Sequence, residues 1–82
     1  MKISVKLPMF GMNMEEATIA RWHKQPGERF SKGDPLCDIE SEKVTAELPA
    51  PCDGTMVQIL RTAGENAAVG EVVCKIDAEL SQ

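Results

Sequence analysis

Lys43 is the side chain of this sequence whose setting most invites chemistry. It stands in Glu40-Ser41-Glu42-Lys43-Val44, with β-branched Ile39 before the segment and Val44 and Thr45 closing it. Strand-forming residues on both sides of a short polar interruption predict a hairpin with the lysine at its tip. Three roles suit such a residue: a solvated turn lysine, a nucleophilic or basic amine, or an acceptor that another enzyme acylates. The nucleophilic role requires a desolvated amine with a lowered pKa. Glu40, Glu42 and Glu47 are near in sequence, and acids hold a lysine charged. At a reference pKa of about 10.4, roughly one amine in a few thousand is neutral at pH 7. An exposed amine on a rigid turn suits modification better than catalysis.

The other reactive residue types have plainer readings. His23 is the single histidine and has no cysteine or acid at catalytic spacing; it reads as a surface strand residue. Cys37, Cys52 and Cys74 form no Cys-x-x-Cys or Cys/His spacing for zinc, so no metal site is expected. An odd count fits poorly with a disulfide framework. Cys37 and Cys74 are expected as small core residues and Cys52 as a loop thiol. Trp22 is expected in or at the edge of the core.

The body that positions Lys43 is small. Its 82 residues make one domain, and a chain this short buries only about 60–65% of its unfolded surface. A deep enzymatic pocket is hard to build from so little. The formal net charge of −4 argues against nucleic acid and anionic membrane surfaces as partners. Neither a signal-peptide core nor a membrane-length apolar run is present, so a cytoplasmic location is expected. The domain is expected over residues 1–78, with 79–82 a tail or the start of a linker.

A repeat organises the chain. With residue 18 laid against residue 55, an offset of 37, identities fall at Thr18/Thr55, Gly27/Gly64, Glu28/Glu65, Gly33/Gly70, Cys37/Cys74 and Ile39/Ile76 without a gap. Each copy reads as strand, glycine turn, short strand, glycine turn, strand. Each of the four turn glycines precedes an acid, and glycine supplies the positive φ of tight turns. Alternation places Cys37 and Ile39 inward with Asp38 and Glu40 outward. Val72, Cys74 and Ile76 point inward, with Lys75 and Asp77 outward. The prediction is an all-β fold of two halves related by a quasi-twofold axis. One end carries the Lys43 hairpin and the other the two termini.

"LPMFGMNMEEATI", "PGERFSKGDPL", "IESEKVTAE" and "APCDGTM" occur in this order. Together they resemble the lipoyl domain of the acyltransferase component of 2-oxo-acid dehydrogenase complexes. Ala17 departs from that pattern, which commonly has glycine there. The resemblance implies a flattened β-barrel of two four-stranded antiparallel sheets. It also implies lipoate in amide linkage on Lys43, with Glu40, Ser41, Glu42 and Val44 forming the recognised turn. The loop containing Phe10, Gly11, Met12 and Asn13 would lie beside that turn, either recognising partners or packing on its own body. The lipoyl arm would carry acyl groups from a thiamine-diphosphate-dependent oxo-acid or acetoin dehydrogenase to the acyltransferase core. Dihydrolipoamide dehydrogenase would reoxidise it, and a lipoate-attaching enzyme would install it. The domain itself would be non-catalytic.

Two other readings remain open at this point. Biotin carriers share the architecture, but their lysine usually sits in Met-Lys-Met, whereas Glu42 and Val44 flank Lys43. An unmodified barrel-sandwich module used for assembly would not require the acid-flanked hairpin lysine.

Overall fold

A computed structural model describes residues 1–11, 14–42 and 44–79. Among these residues eight strands form: β1 (Lys2–Lys6), β2 (Glu16–Trp22), β3 (Arg29–Phe30), β4 (Pro35–Glu40), β5 (Thr45–Pro49), β6 (Gly54–Ile59), β7 (Asn66–Ala68) and β8 (Val72–Ala78). They pair antiparallel into two four-stranded sheets, ordered β1-β8-β6-β3 and β5-β4-β2-β7. The expected all-β, two-sheet architecture is therefore the observed one. The body measures 39 × 22 × 17 Å.

The repeat is visible in the pairing. An offset of 37 carries β2, β3 and β4 onto β6, β7 and β8. It fails for β1, which maps onto β5 only at an offset of 43, so six more residues separate β1 from the repeat than separate β5 from its counterpart, five in the connection and one in the longer β2. That insertion lies between β1 and β2, in the stretch that contains Phe10 and Gly11.

The bulges obey the same symmetry. Register shifts leave Ala20 and Val57 as extra residues on β2 and β6. Others leave Leu36 on β4 and Val73 on β8. An extra residue breaks strict alternation, so Leu36 and Cys37 are both buried, as are Val73 and Cys74. Leu36 and Val73 were not among the residues that simple alternation placed inside. Ile19, Ile39, Met56 and Ile76 complete the centre of a wholly apolar core. Burial pushes the Cys37 and Cys74 thiols up to about 12, which leaves them unreactive core residues as expected. All three cysteines are free, with Cys52 half-buried. Trp22 packs at the core edge, and its indole N–H donates to the Arg61 carbonyl at 2.7 Å.

The four glycine turns share one hydrogen-bonding scheme. In Gln25–Glu28, Ser31–Asp34, Thr62–Glu65 and Ala68–Glu71, the backbone N–H of the acid donates to the carbonyl three residues back, at 2.9–3.0 Å. The acid's carboxylate accepts from the backbone N–H of that same residue, at 2.7–2.9 Å. This explains why an acid follows each glycine. The backbone N–H and hydroxyl of Thr62 hold the Glu65 carboxyl below its ordinary range. Glycine φ values of 91–94° at the third position match what a type II turn requires. The N–H of Gly27 donates to Met56 and that of Gly64 to Ile19, at 2.8 and 2.7 Å, tying the halves together.

A β-carbon at Gly27 or Gly64 would have no neighbour within 4 Å, so the positive φ sets the main cost of a substitution. Gly27→Val and Gly64→Val are each expected to lose about 1–3 kcal/mol, in similar amounts because the sites are equivalent. Chemical-denaturation midpoints check this; parent-like midpoints would contradict the positive-φ assignment.

Candidate functional site

The β4–β5 connection is built by strand pairing up to its last residues. Glu40 opposes Thr45, and Thr18 flanks Glu40 from β2. Beyond them the Ser41 N–H donates to the Val44 carbonyl at 2.7 Å, with the Ser41 hydroxyl 3.4 Å from the same oxygen. Only positions 42 and 43 separate these two residues in the chain. Lys43 itself lies outside the described residues. Glu40 and Glu42 are exposed, whereas Ser41 and Val44 are half-buried.

Val44 is held by the loop that carries the insertion. A methyl group built on Gly11 would come within 2.9 Å of Val44 Cγ2, so glycine lets the loop lie directly against the hairpin. Phe10 packs on the core, Met14 is buried, and the Met14 N–H donates to the Gly11 carbonyl at 3.2 Å. Both ends of the loop therefore pack on the domain's own body. Met12 and Asn13 lie outside the described residues.

Hairpin, loop and β2 enclose an open groove whose lining includes Gly11, Thr18, Glu40, Ser41 and Val44. Glu15, Glu16 and Glu42 add further acids at its edge, and among the described residues no cysteine or histidine lines it. Among the described residues, the groove shows no nucleophile–base pair and no closed cavity. It suits display of an amine beside a supported turn.

Two other placements differ from the sequence reading. Glu47, near Lys43 in sequence, sits down the hairpin stem opposite Asp38. His23 follows the end of β2, is half-buried, and lies 2.8 Å from Asp38 Oδ1 through Nε2. Its acid partner was hidden because it comes from a different strand.

At the far end, the body closes differently. The Met1 ammonium donates to Asp77 Oδ1 at 2.9 Å and to the Ala78 carbonyl at 3.0 Å. Glu79 is tied down by its N–H to the Asp53 carbonyl and by an ion pair with Arg29. Met1 and Glu79 thus lie beside the sheet that lacks the Lys43 hairpin, as the repeat implied.

A family model described as "Biotin-requiring enzyme" (Biotin_lipoyl) matches residues 3–76. The chain belongs to the biotinyl/lipoyl carrier family. Its fold superposes on the lipoyl domain of the 2-oxoglutarate dehydrogenase complex from Azotobacter vinelandii with a TM-score of 0.74. The two are 35% identical, over 92% of this chain and 95% of that one. The chain is also similar to the dihydrolipoyllysine-residue succinyltransferase component of the 2-oxoglutarate dehydrogenase complex of Rickettsia felis. That match is 44% identical over 94% of this chain and 19% of the relative. The lipoamide acyltransferase component of the branched-chain alpha-keto acid dehydrogenase complex of Bacillus subtilis is 36% identical over 89% of this chain and 17% of the relative. The chain therefore spans about one-fifth of the length of these curated relatives.

Proposed function

We propose that this lipoyl domain is lipoylated on Lys43 and serves the acyltransferase component of a 2-oxo-acid dehydrogenase complex as its mobile carrier. The observation that carries the reading is Glu-Ser-Glu-Lys-Val in the β4–β5 connection of a domain matching a lipoyl domain nearly end to end. The Glu42 and Val44 flanks favour lipoate over biotin. The surroundings fit such a group: the turn is supported from below by Val44 and Gly11, and the adjoining groove is open. A long arm anchored there is free to leave the domain.

When attached, the lipoyl dithiolane supplies the group- and electron-carrying chemistry. The chain's own residues do something different. Ser41 and Val44 close the turn, Glu40 and Glu42 keep its surface acidic, and Phe10, Gly11 and Met14 brace it. Tethering then raises the effective concentration of the arm at each partner. The partners proposed are a thiamine-diphosphate-dependent dehydrogenase, the acyltransferase core and dihydrolipoamide dehydrogenase, with a lipoate-attaching enzyme before them.

Coexpression with a lipoate ligase, followed by intact mass and peptide mapping, tests the reading. One lipoyl group is expected, on Lys43, with none on Lys2, Lys6, Lys24, Lys32 or Lys75. Lys43→Arg should abolish modification. A biotinylated product, or lipoyl persisting in that variant, would overturn the assignment.

A further inference from the structure

The outer face of the hairpin sheet brings together three groups that the carrier function does not use. His23 at the end of β2, Asp38 on β4 and Glu47 on β5 place one ring nitrogen and two carboxylate oxygens within 4.8 Å of one another. Asp38 and Glu47 are direct partners in the β4–β5 register. Like charges opposed in this way destabilise a sheet. His23 already lies 2.8 Å from Asp38, its N–H donating to the Leu36 carbonyl and holding the backbone in place. Arg21, exposed, stands opposite Asp38 in the β2–β4 register.

We propose that His23, Asp38 and Glu47 bind a divalent transition-metal ion of the Zn2+ class. An imidazole with two carboxylates is a ligand set such ions accept, at about 2.0–2.2 Å per bond. Ligands on one tetrahedral ion stand about 3.4 Å apart by that geometry. The His23–Asp38 pair needs to open slightly, and the exposed Glu47 side chain is free to close in. Bound there, the ion would replace the His23–Asp38 contact and offset the repulsion between the two acids. It would clamp β2, β4 and β5, the three strands beneath the hairpin.

The test is calorimetric titration of the full chain with ZnCl2 at neutral pH. Lys43 is left unmodified so that no dithiol competes. A single site is expected. His23→Gln and Glu47→Gln should each weaken it at least about tenfold, the lower end of what even ligand-supporting residues contribute. Cys52→Ser and Asp77→Asn, which remove the half-buried competing thiol and the acid beside the N-terminus, should leave it intact. Thermal melts supply a readout of opposite sign. Without zinc, Glu47→Gln relieves the carboxylate pair and should melt no lower than the parent. With zinc, the parent should gain stability by mass action and Glu47→Gln should not. Absence of binding, binding that survives His23→Gln, or binding lost with Cys52→Ser would each overturn the proposal. None of these outcomes touches the lipoylation of Lys43.

Discussion

Gly54→Ala is expected to be the most damaging single-methyl substitution among the glycines of this domain. Gly54 opens β6 and pairs with Ala78 on β8 and Phe30 on β3. A β-carbon there would lie 2.5 Å from the Asp77 carbonyl oxygen and 3.2 Å from Ala78 Cα. Both obstacles are backbone, so no side-chain rotation relieves the clash, and β8 must move. Overpacking of this kind costs about 1–3 kcal/mol and occasionally more; a backbone obstacle places Gly54→Ala at or above the top of that range. A chain of this length has a total stability of about 4–12 kcal/mol, from 0.05–0.15 kcal/mol per residue. Gly27→Ala is the control, because its β-carbon meets nothing and only the φ of 94° is at stake. Urea midpoints at unchanged m-value measure both. A Gly54→Ala midpoint at or above that of Gly27→Ala would show that β8 yields easily.

The repeat explains why the same change is tolerated elsewhere. An offset of 37 relates Gly54 to Ala17. Ala17 already carries a methyl group, buried opposite Ala67 in the β2–β7 pair. The departure from glycine at Ala17 is thus accommodated within the core. At Gly54 the β8 backbone approaches too closely.

Features that repeat locally were legible in the sequence. The four Gly-acid turns could be placed because glycine is needed for positive φ, although the reason for the acid emerged only from its hydrogen bond to the turn's first N–H. The relation between β1 and β5 was not legible. Six extra residues break the register, and β1 (KISVK) shares no obvious pattern with β5 (TAELP). Bulges were equally hidden, since pairs such as Leu36-Cys37 give strict alternation no way to bury both. The Lys43 hairpin could be read because its residues are consecutive. The His23–Asp38–Glu47 group could not, because register across three strands assembles it. Contact between the Phe10–Asn13 loop and the hairpin came through family resemblance, and the Gly11–Val44 approach now supplies its physical basis.

That approach leads to the expectation with the largest functional effect. Exchanging positions 42 and 43, by Glu42→Lys with Lys43→Glu, should nearly abolish lipoylation. The exchange keeps composition and net charge, but neighbouring residues of a hairpin point in different directions. The bond from Ser41 to Val44 closes the connection around just these two positions, leaving little slack for a displaced amine to recover its aim. Glu42→Gln, by contrast, leaves the lysine in place and removes one exposed charge. Its interaction with a neighbouring amine is worth at most about 1 kcal/mol, so this variant should be modified at close to the parent rate. Circular dichroism first establishes that both variants fold; the initial rate of modification by a lipoate ligase then separates them. If the displaced lysine were modified at the parent rate, presentation by the turn would not be the determinant. If Glu42→Gln alone stopped the reaction, the ligase would be reading the carboxylate itself, and the acids around Lys43 would be the recognition signal.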